Sequence, residues 1–152
     1  MYEQENIQIV RKLFDNLNKH NLDASDNLIA NDVRIEITGA PSVLNTREQG
    51  KAYTRRFIDA FPDLRFDVKD IIAQGDKVAV SWIAKGTHSA PLMTSGGESI
   101  PATNKRAMVP GCTLYELKNN LVTRQETYWD QVNFLTQLEV PLGMLESSRS
   151  GR

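Results

Sequence analysis

The stretch Tyr53-Thr54-Arg55-Arg56-Phe57-Ile58-Asp59-Ala60-Phe61-Pro62-Asp63-Leu64-Arg65-Phe66-Asp67-Val68 contains the change of period that decides the fold. Up to Ala60 the aromatic residues recur at helical spacing, so Tyr53, Phe57 and Phe61 lie along one side of a helix. The helix has a start signal in Thr46-Arg47-Glu48-Gln49, a capping box in which the Thr hydroxyl and the Gln side chain each satisfy a free N–H. Pro62 stops it, because proline has no N–H and its ring clashes with the preceding turn. From Leu64 onward the period is 2. Leu64, Phe66 and Val68 alternate with Arg65 and Asp67, as in a half-buried strand, and Ile71-Ile72 extends it.

Downstream the strand pattern continues. Gln74-Gly75-Asp76 is a turn, and Lys77 to His88 reads as a long strand. Residues 89 to 106, rich in Pro, Gly, Ser and Thr, read as a long loop. Ala107–Leu117 and Leu121–Asp130 are strands joined at Lys118-Asn119-Asn120, where Asn tolerates the positive φ of a tight hairpin. Pro110-Gly111 marks a place where the first of these could bulge, since Pro removes a ladder donor. A closing helix carries Val132, Phe134, Leu135 and Leu138 and ends before Pro141.

Upstream, Ile7, Val10, Leu13, Phe14 and Leu17 form the apolar stripe of a helix over about 5 to 20. A short second helix is expected from Asp23, acting as its cap, to Ile29, followed by a strand over Val33-Arg34-Ile35-Glu36-Ile37. Helices come first and long strands follow, which indicates α+β: a curved antiparallel sheet whose concave side is covered by the early helices and encloses a pocket. Residues 1–145 make one domain, and 146–152 read as a disordered tail.

Composition narrows the function classes. The chain has 152 residues, 40% hydrophobic and 24% charged, as in a globular domain. Its net charge of −1 lacks the basic footprint of a nucleic-acid binder. No apolar run can span a membrane, and the N-terminus has no signal-peptide core, so a cytoplasmic location is the simplest expectation. One cysteine, Cys112, and two scattered histidines give neither a disulfide framework nor metal-ligand spacing. Cys112 is expected to be a small buried hydrophobe.

Three local strings then stand out in order: Ala60-Phe61-Pro62-Asp63-Leu64 after the amphipathic helix, Gly86-Thr87-His88 ending the long strand, and Tyr128-Trp129-Asp130-Gln131 leading into a helix with Gln137-Leu138. Over roughly residues 5 to 143 the chain resembles the SnoaL-like polyketide cyclases of the NTF2-like superfamily. The resemblance implies a cone-shaped α+β barrel with a deep, mostly apolar pocket. It implies ring closure by intramolecular aldol condensation without metal or organic cofactor, and a homodimer. The family's acidic residue at the end of the last strand, its general acid/base, matches Asp130. The segment after His88 is longer than the family's usual connection.

The residues themselves support two readings of that position. Alternation puts Arg124, Glu126, Tyr128 and Asp130 on one face of the last strand, and Gln125, Thr127 and Trp129 on the other. Asp130 can therefore act as acid/base with Glu126 and Tyr128 orienting a ligand, or it can cap the closing helix. His88 shares a strand face with Trp82 and could polarise a substrate carbonyl, or it could pack beneath the following loop. Trp82, Phe57 and Tyr53 are the candidate pocket aromatics. The expected function is cofactor-free acid/base chemistry on a small carbonyl or polyketide-like substrate. The alternative is a non-catalytic domain that binds a small ligand or dimerises. An epoxide-hydrolase-like Asp-Arg-Asp set is disfavoured, because the strand 77 to 88 has no Arg.

Overall fold

In the computed structural model, residues 2–94 and 97–141 are described. The expected tail at 146–152 lies outside the described residues.

Helix α1 (Tyr2–Asn18) buries Val10, Leu13 and Phe14 on its expected face. It ends where His20 enters the left-handed region at φ 58°, with the imidazole Nε2 2.8 Å from the Leu64 carbonyl. The segment expected to be a short helix capped by Asp23 is instead a 3-10 helix, Leu22–Leu28. Asp23 sits inside it and accepts a hydrogen bond from Lys51 Nζ at 2.9 Å. Strand β1 (Ile29–Ile37) begins earlier than the alternation suggests.

Helix α2 (Arg47–Ala60) starts at the capping box: Thr46 Oγ1 accepts from Gln49 N at 3.1 Å. The reciprocal bond goes one residue further out, with Asn45 N donating to Gln49 Oε1 at 2.7 Å. Strands β2 (Arg65–Gln74), β3 (Lys77–Thr87), β6 (Arg106–Lys118) and β7 (Leu121–Trp129) carry the sheet, and α3 (Gln131–Gln137) closes the chain. The region read as one long loop contains a two-stranded ribbon, β4 (Leu92–Met93) against β5 (Ser99–Ile100), with Leu92 and Ile100 buried. Asn119 and Asn120 take φ 52° and 65° in the β6–β7 hairpin, as expected of its two Asn residues.

The main sheet has the order β1-β7-β6-β3-β2 and does not close on itself. It is mixed rather than wholly antiparallel: β1 runs parallel to β7, from the Ile29–Val122 pair to the Ile37–Thr127 pair. Most of the chain separates these two strands, so no tight hairpin dictates their direction.

Two irregularities decide which side chains face inward. The β2–β3 register shifts between Val68 and Asp70. Phe66 and Val68 before the shift, and Ile71 and Ala73 after it, all pack on the core, while Ile72 is 67% exposed. The β6–β7 register shifts between Glu116 and Leu117, so Val122 and then Gln125, Thr127 and Trp129 face inward.

No bulge occurs at Pro110-Gly111. The β3–β6 register runs unbroken through Ile83–Pro110 and Trp82–Gly111. Met108 turns its N–H and C=O away from β3 to the Gln137 side chain, at 2.7 and 2.9 Å. By the period of 2, the Pro110 nitrogen faces the same side, one residue past the last β7 pair, Gly111–Trp129. No ladder bond is lost there.

Two apolar clusters result. One joins α1 to the sheet around Phe14, Val80, Trp82 and Tyr115. The other joins the β4–β5 ribbon to Phe61, Phe134 and Leu138 through Leu92 and Ile100. Cys112 is half-exposed on the outer sheet face, paired in register with Ser81 and Tyr128, and not buried as expected. Among the described residues no helix is long and apolar enough to cross a membrane.

Candidate functional site

Between the two clusters lies a cavity of ≈ 180 Å³. Its wall follows from the periods already given. Helix α2 contributes Tyr53 and Phe57, one turn apart, with Phe61 at its end. Inward positions of β3, β6 and β7 contribute Trp82, Thr113, Tyr115, Gln125, Thr127 and Trp129. One end is aromatic: Trp129 meets Phe57 edge-on at 6.1 Å and Phe134 at 5.3 Å. The Trp129 indole is held by donating Nε1–H to the Thr38 carbonyl at 3.1 Å.

Trp82 is held from three sides. Its ring is edge-on to Phe66 at 4.9 Å, and its Nε1–H donates to Thr113 Oγ1 at 3.0 Å. A Cβ at Gly111 would lie 2.2 Å from the indole, so only glycine leaves room for the ring. Thr113 and Thr127, register partners across β6 and β7, bring their hydroxyl oxygens to 3.1 Å. With Gln125 and Tyr115 they form a polar strip in a mostly apolar wall that also includes Tyr53, Thr54 and Lys85. Burial pushes the Tyr115 phenol well above its ordinary range and also raises Tyr53, where Arg56, 4.5 Å from the ring centre, opposes the shift. Both phenols are therefore protonated hydrogen-bond donors at neutral pH.

A second cavity of ≈ 120 Å³ shares Phe14, Leu17, Ile37, Thr54, Tyr115 and Gln125 with the first. It ends at Arg47 and Lys51, which are already engaged: Lys51 Nζ lies 2.9 Å from both Asp23 and Asp26, and Arg47 donates to the Asp26 and Ile29 carbonyls at 2.9 and 3.0 Å. Those carboxylates raise the Lys51 pKa well above its usual range.

The structure separates the expected site residues into two groups. Trp82, Phe57 and Tyr53 line the cavity. Glu126 and Tyr128 do not: they lie on the outer face, where Tyr128 donates to Glu126 at 2.7 Å and Glu126 pairs with Arg124 at 3.0 Å. The alternation along β7 is as expected, but its polar face is the solvated one. Asp130 is exposed and caps α3, accepting from Asn133 N at 2.9 Å.

His88 is fully buried and stacks on Phe61 at 5.2 Å, but it is not part of the cavity lining. Its Nδ1 accepts from Thr103 N at 3.3 Å and lies 3.1 Å from Thr103 Oγ1. The backbone N–H donation leaves Nδ1 bare, so the ring is neutral with its hydrogen on Nε2, which has no partner among the described residues. Burial lowers its pKa, with the Ala90 backbone opposing. Among the described residues, the Asp130 and His88 side chains share no hydrogen-bond partner.

Thr113, Thr127, Gln125 and Tyr115 are not singled out from sequence as ligand contacts, and Trp129 is read there, with the other aromatics, chiefly as core. The signal for three of them was present in the 125, 127, 129 alternation. Among the described residues, no cluster of three or more His, Cys, Asp or Glu is placed to hold a metal ion.

No curated protein matches the chain in sequence. Solved structures do. A candidate SnoaL-like polyketide cyclase from Jannaschia sp. CCS1 superposes with a TM-score of 0.80 at 22% identity, covering 91% of this chain and 94% of that one. IdmH from Streptomyces antibioticus, a proposed polyketide cyclase, gives 0.76 at 26% identity over 89% of this chain and 99% of its own. A protein of ketosteroid isomerase-like fold from Catenulispora acidiphila DSM 44928, solved with trimethylamine, gives 0.73 at 18% over 89% and 95%. The fold is thus the NTF2-like α+β arrangement, with an open, curved sheet. The family model for SnoaL-like polyketide cyclases matches residues 7–138, most of the chain and all the elements that build the cavity, so the protein belongs to the SnoaL-like polyketide cyclase family.

Proposed function

We propose that the chain binds a small, largely apolar, carbonyl-bearing molecule of polyketide type in the aromatic cavity, and that any ring closure or isomerisation there proceeds without a cofactor. The observation that carries this reading is the lining: aromatic and aliphatic walls around one strip of neutral hydrogen-bonding groups. Such a site holds a neutral ligand by burial and sets its orientation through a few polar contacts. Among the described residues, Lys85 is the one permanently charged member of the lining, and its ammonium is paired with Asp67.

Holding a flexible polyketone folded and dry accelerates an intramolecular condensation by orientation alone. The protonated Tyr115 phenol and the threonine hydroxyls can stabilise charge developing on a carbonyl oxygen. Acid/base work by Asp130, with His88 as polariser, is the second reading. It is favoured by the place of Asp130 directly after Trp129, at the end of the cavity-lining strand.

The first test is direct, because the chain's two tryptophans both line the cavity. Titration with 1-tetralone, followed by tryptophan fluorescence, is expected to give a saturable change. A flat response across this and larger aromatic ketones removes the reading. Asp130→Asn then separates the two readings, since Asn caps a helix as well as Asp does. Turnover of a linear polyketone that survives this substitution excludes Asp130 as acid/base.

A homodimer through the outer sheet face belongs to the same proposal. Ile72, Ala79 and Leu114 form a register row on that face, with Tyr128 nearby, and Ile72, Leu114 and Tyr128 are exposed.

A further inference from the structure

The polar strip of the cavity does not balance its hydrogens. Trp82 Nε1–H donates to Thr113 Oγ1 at 3.0 Å, and Thr113 Oγ1 meets Thr127 Oγ1 at 3.1 Å. The trio holds three polar hydrogens: the indole N–H and two hydroxyl O–H. It makes two contacts. The indole hydrogen uses the first, and one hydroxyl hydrogen uses the second. One hydroxyl hydrogen remains, on Thr127 if Thr113 donates across the pair and on Thr113 if Thr127 does. Neither hydroxyl has a further partner among the described residues.

Thr113 is 3% exposed and Thr127 is half-buried, and both threonines line the cavity, so the remaining hydrogen faces the cavity whichever hydroxyl carries it. The arrangement is held from behind. Gly111 admits the Trp82 ring, and Trp82 in turn occupies one lone pair of Thr113, which leaves that oxygen the better donor. A donor held in a mostly apolar cavity with no acceptor among the described residues selects for an acceptor on the ligand.

We infer that Thr113 and Thr127 together form the specificity element of the cavity, donating one hydrogen bond to a carbonyl oxygen of the bound molecule. This rests on the proposed ligand-binding role of the cavity and assigns the atoms that read the ligand's polar group. The recognised class is a neutral ketone or quinone. A carboxylate or an amine is not favoured, since one leaves its charge uncompensated here and the other competes as a donor.

The experiment compares 1-tetralone with tetralin, its deoxygenated counterpart, by tryptophan fluorescence and calorimetry. The quantity read is the ratio of the two affinities, so that changes in the apolar wall cancel. In the Thr113→Val/Thr127→Val double variant the ratio is expected to fall about tenfold in the direction of tetralin. Each single Val variant keeps one hydroxyl with a free hydrogen and falls less. Thr113→Ser/Thr127→Ser keeps both hydroxyls and is expected to hold the wild-type ratio, which also controls for folding.

An unchanged ratio in a folded double Val variant overturns the assignment while leaving the cavity as a ligand site. A ratio that falls equally in the Ser variant also overturns it, because the methyl groups would then be responsible. If the unsubstituted protein binds neither compound, the ligand-binding reading of the cavity fails and this assignment falls with it.

Discussion

Gly111 and Trp82 are register partners across β3 and β6, and the indole lies so close over the glycine that a Cβ there would come within 2.2 Å of Cη2, 2.5 Å of Cζ2 and 2.7 Å of Cζ3. The glycine is a packing requirement of the tryptophan. Gly111→Ala is expected to push the ring into the cavity, stretch the bond to Thr113, and cost about 1–3 kcal/mol as an overpacked core does. Thermal melting gives the cost, and the Trp emission and 1-tetralone affinity report the displaced ring. A variant as stable as the parent with unchanged affinity would show that the sheet can relax there.

His88 makes stability depend on pH. Burial lowers its folded pKa below the ordinary 6.5, so the unfolded chain binds the proton more readily. Where the unfolded state holds more protons, stability rises with pH. The contribution is therefore complete above about pH 6.5, is lost as pH falls from there toward the lower folded value, and changes no further below it. Protonation also gives Nδ1 a hydrogen, which removes its acceptance from Thr103. Melting temperatures from pH 7.5 to 5 are expected to fall, and His88→Gln is expected to flatten that slope. An equal slope in both proteins would place the titrating group elsewhere.

Asp130 caps α3, and its substitutions follow cap energetics. Asp130→Ala removes the acceptor for Asn133 N and is expected to cost roughly 1 kcal/mol, while Asp130→Asn stays within a few tenths. Chemical denaturation of both variants tests this. Equal losses in Ala and Asn would mean that the charge, not the cap, matters.

Leu114, 42% exposed on the outer face, tests self-association. Leu114→Lys is expected to convert a dimer to a monomer in light scattering with little change in monomer fold. A dimer of unchanged affinity would move the contact off this face.

Much of this architecture was legible in the chain. The change of period at Pro62, the capping box at Thr46 and the Asn119-Asn120 turn each act locally, so residues a few positions apart suffice to read them. The 3-10 form of Leu22–Leu28 was not legible, because Asp23 spends its carboxylate on Lys51, far along the chain. The β2 shift at Val68 and the parallel β1–β7 pair were hidden for the same reason: they are set by partners, not by neighbours. The site was half legible. Alternation along β7 separated the two faces correctly, but a row of Arg, Glu and Tyr does not say which side the core occupies. The inward face is settled by Trp129 packing on Phe57 and Phe134. Asp130 sits where both readings placed it, and its side chain turns to the helix.

The parallel pairing of β1 with β7 also bears on how the molecule comes into being. β1, at Ile29–Ile37, is made well before its sheet partner, Leu121–Trp129. At roughly 5–20 residues per second, the first strand waits several seconds for its sheet partner, bonded meanwhile only through the bridge of Ile35 to Leu44. The β2-β3-β6 meander can form in that interval, with one edge open to receive β7 and then β1. The cavity therefore has no complete wall until β7 has been made. The proposed ligand site is complete only once β7 is in place, and truncation within β7 removes both the Trp129 wall and the sheet partner of β1.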